Sequence, residues 1–533
     1  MQSGLGAQRS LAYNRPSASV NEAVVVLDFG SQYSLLIARR LRELGVYCEL
    51  LPADSSKERI AELAPKGIIL SGGPQSVYDA GAPGLSEAVR SAGVPVLGIC
   101  YGAQLIAYHQ DGRVEAAERR EFGRSTVKVL EDNLLFEGIG ESLEVWMSHT
   151  DHILEPPPGH RVVARSEGGL IAAMSDGARY WGVQFHPEVA HTPLGRTILE
   201  NFVRRICGCV EQWSTTSFVD ETVEWLRERI GDRRAICALS GGVDSGVAAA
   251  LAARAVGDQL TCVFVDNGLL RQNEADQCMA VFAEHLDMKV LKVDASQKFL
   301  EALDGVTDPE EKRRRIGRCF MEVFEEVAPS LEGADYFIQG TTYPDVIESA
   351  GDSGRHSAAA TKIKTHHNVG GLPDTMKLEL LDPLSFLFKD EVRAAGRVLG
   401  LPEQIVDRHP FPGPGLAVRM TGAVTPERLE RLRRSDEIFI SELRSAGLYQ
   451  QTAQALVVLT SDKSVGVLGD FRTYEDVVAL RAVDTEDWMT ADWSRLPYDF
   501  LARVSNRIVN EVPGVNRVVY DISSKPPATV EWE

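Results

Sequence analysis

The sequence predicts an α/β protein with two parallel-sheet domains and a small α+β C-terminal domain. Three observations lead to this. From Ala23 onward, short apolar runs ending in small or turn residues (23–29, 67–73, 94–100) alternate with stretches of helical spacing (34–44, 84–92). Such alternation marks a parallel sheet covered by helices. The pattern restarts near Ser214, with a strand entering a Gly turn (233–242), a helix (248–256) and further strands at 260–268, 335–342 and 377–384. After the punctuated string His409–Leu416 the order changes: a charged amphipathic helix (425–446), strands around 454–460 and 515–522, and a helix near 499–511.

A single core rarely grows past roughly 250–300 residues, so a chain of 533 residues divides. The expected parts are a disordered tail (1–22) and domains at 23–211, 212–408 and 409–533. β signals at 143–149 and 180–186 and a helix around 194–206 close the first domain. Residues 349–373, rich in Gly, His, Ser and Ala without periodicity, form a loop too long to be a plain connection.

Composition narrows the partners. The formal net charge is −20, which repels phosphate backbones and argues against nucleic acid. The one basic run, Lys312–Arg315, reads on composition as a solvated helix face. The eight cysteines all precede residue 320 and form no Cys-x-x-Cys pair, which fits a reducing cytoplasm and no structural zinc. No apolar run is long enough to span a membrane.

The first chemistry lies at Gly98-Ile99-Cys100-Tyr101-Gly102, between a buried strand and a helix. Small residues two places either side of a nucleophile let strand and helix approach in a strained turn. The thiol then projects near the positive end of the helix, where the thiolate is favoured. His186 ends a β pattern in Gln184-Phe185-His186-Pro187-Glu188 and would move the proton, while Glu188 would hold the imidazole's tautomer. Together these strings resemble the class I glutamine amidotransferases over residues 24 to about 207. The resemblance implies glutamine as substrate, with the Gly73 and Tyr101 amides as oxyanion donors. Two departures from that family, Ala103 and Thr150, are expected to flank the glutamine pocket.

The second chemistry is Ser240-Gly241-Gly242-Val243-Asp244-Ser245, following a strand and opening a helix. It lacks the Lys of a Walker loop. Exposed N–H groups, a helix N-terminus and two hydroxyls still suit a phosphate. The string resembles the PP-loop of ATP pyrophosphatases, which cleave ATP between the α and β phosphates. A carboxylate at Asp244 beside phosphates calls for Mg²⁺. By the same resemblance Asp345 is the second metal ligand and Lys389 contacts phosphate. Val265 ends the next strand beside the nucleotide crevice, where its backbone would read adenine.

The acceptor rests on resemblance alone. Residues 340–349, 366–373, 408–416 and 521–533 resemble the glutamine-hydrolysing GMP synthetase family, whose last domain dimerises and helps bind xanthosine 5′-monophosphate (XMP). The resemblance implies Lys525 at the XMP phosphate, Glu531 at purine or ribose atoms, Arg313 as a substrate arginine, residues 349–373 as a lid, and a homodimer. Ser524 departs from a common Gly. A tRNA-modifying PP-loop enzyme would need a basic surface or sulfur-carrying cysteines, and this chain has neither. A non-catalytic descendant would not need Cys100, His186, Glu188 and Asp244.

Overall fold

The computed structural model describes residues 22–210, 213–286, 288–327, 331, 333–346, 378–485 and 490–533. The expected tail up to residue 21 and the expected lid at 349–373 lie outside the described residues. The chain forms two compact units, divided after Ser217.

The first unit is built on a nine-stranded sheet. Its strands are β1 (Ala23–Asp28), β2 (Tyr47–Pro52), β3 (Pro65–Leu70), β4 (Val96–Ile99), β5 (Arg113–Val129), β6 (Ser142–Glu155), β7 (Arg161–Ser166), β8 (Ile171–Ser175) and β9 (Tyr180–Val183). Their order is β2-β1-β3-β4-β9-β8-β7-β5-β6. The β2-β1-β3-β4-β9 half is parallel, and β8, β7, β5 and β6 continue it antiparallel. Parallel strands are covered on both faces and read as unbroken apolar runs; every residue of Ala23–Leu27 is fully or almost fully buried. β6 instead alternates buried and exposed residues over most of its length, the mark of a strand with one wet face. That is why the sequence declared the parallel half more clearly.

The second unit contains a five-stranded parallel sheet in the order β12-β11-β10-β13-β14. The strands are β10 (Arg234–Leu239), β11 (Leu260–Asp266), β12 (Val290–Asp294), β13 (Ala334–Ile338) and β14 (Glu379–Leu381). A four-stranded sheet follows, made by β15 (Gln454–Leu468), β16 (Phe471–Asp484), β17 (Asp492–Trp493) and β18 (Val515–Tyr520). β15 and β16 form a long antiparallel hairpin, and β18 lies parallel to β16. The helix Pro426–Ser445 starts at an N-cap, Thr425, whose hydroxyl accepts from the Arg428 N–H, with Pro426 at the first helical position. Its buried face (Leu429, Leu432, Phe439, Leu443) joins one core with Val457 and Leu480 of the hairpin and with Val263, Phe299 and Phe337 from around the parallel sheet. Burial of that common apolar surface binds the two sheets of this unit together.

Candidate active site

In the first unit Cys100 sits between β4 and the helix Tyr101–His109 with φ 53° and ψ −106°, a conformation that L-residues rarely adopt. Strain of this kind persists only where the surroundings enforce it. Here two close approaches do so. A Cβ on Gly98 would stand 2.4 Å from the Gly102 carbonyl carbon, and one on Gly102 would stand 2.4 Å from the Leu70 oxygen. The expected reason for glycine at both positions is therefore the observed one.

His186 and Glu188 follow β9 and are both buried; the His186 Nδ1 lies 2.6 Å from a Glu188 carboxylate oxygen. With Nδ1 occupied, Nε2 is left for Cys100. Burial by itself lowers the His186 pKa, but the Glu188 charge and the hydrogen bonds to Cys100 and Glu188 outweigh it and raise the value to about 10. A protonated imidazole beside the sulfur favours thiolate. The Tyr33 ring meets His186 edge-on at 5.1 Å and limits its rotation.

Tyr101 is the first helical residue, so its amide is one of those an α-helix leaves without an intrahelical acceptor. The Tyr101 hydroxyl is occupied elsewhere, donating to the Pro83 carbonyl at 2.7 Å. At Gly73 an added Cβ would come within 2.9 Å of the Phe29 oxygen and 3.3 Å of the Tyr101 ring, so this segment lies against the start of the nucleophile helix. Of the two departures, Thr150 is exposed. Ala103 is fully buried and packs on Gly182: a Cβ there would be 3.1 Å from that of Ala103.

In the second unit the loop after β10 is held in a ring of serines. The Ser240 and Ser245 hydroxyls are 3.1 Å apart, the Ser240 N–H donates to Ser245 Oγ at 3.2 Å, and the Ser245 hydroxyl donates to the Gly242 carbonyl at 3.1 Å. Gly241 has φ 75°, and a Cβ there would stand 3.0 Å from the Cys278 sulfur. Gly242 caps the helix Val243–Val256. The loop thus presents a helix N-terminus at the C-terminal edge of a parallel sheet, where such sheets bind nucleotides. Leu239 pairs with Phe264, so Val265 comes to the same edge on the neighbouring strand.

Asp244 and Lys389, far apart in sequence, form an ion pair. The other Asp244 oxygen, Oδ1, is buried without a hydrogen-bond partner among the described residues. An oxygen so placed is a fitting ligand for a hard cation. Gly340 leaves room for the loop: its Cβ would be 2.8 Å from the Asp244 carbonyl carbon. Asp345, five residues on, turns one oxygen to its own turn, accepting from the Thr342 N–H at 3.0 Å and the Thr342 hydroxyl at 2.6 Å.

The residues expected to bind the acceptor lie on the helix Pro309–Val327 and the C-terminal segment, which meet through a buried pair of Lys312 and Glu533. Lys312 also donates to the Ala417 and Met420 carbonyls and is fully buried, so the basic run is not a solvated face throughout. Arg313 pairs with Glu310 at 2.6 Å, and its Nε has no hydrogen-bond partner among the described residues. Glu531 accepts from Arg419 at 3.0 and 2.8 Å and from Gln454 at 2.8 Å. Lys525 is anchored by its backbone, which exchanges bonds with Ala491 at 2.7 and 3.0 Å; beside it the Ser524 hydroxyl donates to Asp492 at 3.1 Å.

The sequence did not single out two features. Arg271, Arg408 and Arg419 stand 5.0–5.6 Å from the Phe411 ring centroid, paired with Asp436, Glu274 and Glu531 respectively. Arg408 also donates to the Gly241 carbonyl at 2.9 Å, tying this cluster to the phosphate-type loop. Asp382 follows β14 at the functional edge of the sheet and accepts from the Thr341 hydroxyl at 2.7 Å. Its position after a parallel strand was the only available signal.

Comparison with known proteins bears on the whole chain. Residues 25–206 match the class-I glutamine amidotransferase family, 217–316 the NAD synthase family, and 441–532 the GMP synthase C-terminal domain family. A GMP synthase [glutamine-hydrolyzing] from Thermomicrobium roseum is 56% identical over 524 residues, covering 98% of this chain and 99% of the relative. Its counterpart from Methylococcus capsulatus is 55% identical, with 96% and 99% covered. A solved glutamine amidotransferase from Thermotoga maritima matches 36% of this chain and 99% of its own at 19% identity, with a TM-score of 0.30.

Proposed function

The chain belongs to the glutamine-hydrolysing GMP synthase family, a ligase that makes GMP from XMP with ATP and glutamine, and on that premise we propose which of its residues perform each step. Cys100 attacks the side-chain amide carbon of glutamine. His186 takes the thiol proton and returns it to the departing nitrogen, so that ammonia leaves a glutamyl thioester. The amides of Gly73 and Tyr101 hold the oxyanion. His186 then draws a proton from water, which hydrolyses the thioester to glutamate. Glu188 fixes the imidazole tautomer throughout. The geometry that supports this is the 2.6 Å His186–Glu188 contact behind a nucleophile held in a strained turn.

At the second centre the 240–245 loop and Lys389 receive the pyrophosphate of ATP while the XMP oxygen attacks the α phosphorus. Ser240, Gly241, Gly242, Val243 and Ser245 supply N–H groups and hydroxyls, and the Val265 backbone reads adenine. Asp244 and Asp345 would hold Mg²⁺, which when bound offsets the charge of the phosphates; the Asp244 oxygen that has no hydrogen-bond partner among the described residues supports the first of these ligands. Arg313, Lys525 and Glu531 bind XMP. Ammonia displaces AMP from the adenylylated intermediate and gives GMP.

Residues 23–211, 212–408 and 409–533 are the functional divisions of the chain. A homodimer through the last of them is supported by exposed apolar side chains on the β15–β16 hairpin, where Val467 and Phe471 are 76% and 79% exposed. No helix among the described residues is long and apolar enough to cross a membrane. A cytoplasmic location rests on the scattered cysteines, which form no Cys-x-x-Cys pair. Two variants test the assignment. Cys100→Ala should abolish glutamine-supported GMP formation and leave ammonium-supported formation intact. Asp244→Asn should remove both; normal ATP cleavage in that variant would refute its role.

A further inference from the structure

The Cys100 sulfur has a second polar neighbour besides His186. Gln184, at the end of β9 and only 2% exposed, directs its Nε2 to Cys100 Sγ at 3.7 Å. A side-chain amide can face a sulfur with either its NH₂ or its carbonyl, and the two have opposite effects. The NH₂ stabilises a thiolate; the carbonyl repels it.

Here the orientation is set from outside. The Asp151 backbone carbonyl can only accept, and it takes a hydrogen bond from Gln104 Nε2 at 2.8 Å. The same Gln104 nitrogen is 3.4 Å from Gln184 Oε1, which must therefore accept. That leaves the Gln184 NH₂ toward the sulfur. Gln104 is 3% exposed, so water does not compete for either amide. The opposing contact is the Ser148 carbonyl, 3.8 Å from Sγ, which suits the thiol but not the thiolate.

We propose that Gln184 is a positioning residue for glutamine hydrolysis, that its amide N–H stabilises the Cys100 thiolate, and that Gln104 locks the amide in the productive orientation. This deepens the assignment of Cys100 as nucleophile and rests on it. His186 takes the proton; Gln184 takes none and serves as a fixed dipole. Titratable groups on the elements around Cys100 include His186 and Glu188 after β9, Tyr33 ahead of the helix Ser34–Glu43, Tyr101 on the nucleophile helix, His149, Asp151 and His152 on β6, and Glu121 on β5. Substitution at Gln184 leaves all of them in place.

The test uses the full-length enzyme and the rate of iodoacetamide alkylation of Cys100 as a function of pH, read by peptide mass. All the other cysteines are buried too, so peptide-level reading is needed to assign the signal. Gln184→Met keeps the volume and removes the donor; the midpoint of its pH–rate profile should move up by about one unit, which is about tenfold less thiolate at a fixed pH below the midpoint. Gln184→Glu should move it further in the same direction. Gln104→Met, which only frees the amide to turn, should give a smaller upward shift. Ammonium-supported GMP formation should be unchanged in all three, and an unchanged thermal unfolding profile shows that the first unit is folded. An unchanged midpoint in both Gln184 variants overturns the proposal, as does an effect confined to the KM for glutamine. If alkylating Cys100 in the unaltered enzyme leaves glutaminase activity intact, the nucleophile assignment itself fails, a distinct result.

Discussion

Replacing Gly102 by Ala tests whether the nucleophile turn depends on a close backbone approach. The added Cβ would stand 2.4 Å from the Leu70 carbonyl oxygen and 2.7 Å from the Leu70 Cβ. A relaxed carbon–oxygen contact needs about 3.3 Å, so helix and strand must separate by about 1 Å. Neither side can yield cheaply. Leu70 belongs to the buried parallel strand β3, and Gly102 donates its N–H to the Ser71 carbonyl at 3.1 Å. Overpacking of this kind costs about 1–3 kcal/mol. The functional loss should exceed the structural one, because Cys100 begins the displaced helix and a 1 Å error in a reacting group can cost about 100-fold in rate. Paired initial-rate assays, with glutamine or with ammonium as nitrogen donor, separate the two effects. The glutamine-dependent kcat should fall about 100-fold while the ammonium-dependent rate holds. A glutamine-dependent kcat within about twofold of the parent would refute the reasoning, since ~1 Å of displacement would then be harmless.

Two further outcomes concern stability. Burial raises the Asp382 carboxyl to about 6, against hydrogen bonds from Thr341 that lower it. A carboxyl raised on folding contributes stability below its unfolded pKa and loses it as pH rises through about 6, so Asp382→Asn should be more stable than the parent at pH 8, by at most about 3 kcal/mol, and lose that advantage near pH 4; urea unfolding at the two pH values checks this. Glu533→Gln leaves the Lys312 ammonium, fully buried, facing only uncharged oxygens among the partners seen in the described residues. Breaking a buried pair from one side costs about 3–5 kcal/mol, whereas the double change Lys312→Met with Glu533→Gln, which removes both charges, should cost far less in the same titration.

The parallel half of each sheet was legible because buried parallel strands leave unbroken apolar runs, as at Ala23–Leu27. The nucleophile turn and the phosphate-type loop were legible for a related reason. Each is a local device, and its glycines, Gly98 and Gly102 in one, Gly241 in the other, stand where the backbone leaves no room for a side chain. The antiparallel strand β5 was harder to read, since it is charged along much of its length and carries no unbroken apolar run.

Sequence by itself thus determined the chemistry of two short strings and the class of fold that presents them. Only tertiary structure decided what those strings touch. Asp244 meets Lys389, Lys312 is buried against Glu533, and Arg408 reaches the Gly241 carbonyl. No periodicity or spacing encodes such pairs, because they join residues more than a hundred positions apart. The same holds at the elbow, where the Gln184 amide faces Cys100. A local motif fixes its own backbone, but the direction of a buried amide or the partner of a buried charge is set by whichever distant group folding brings within reach.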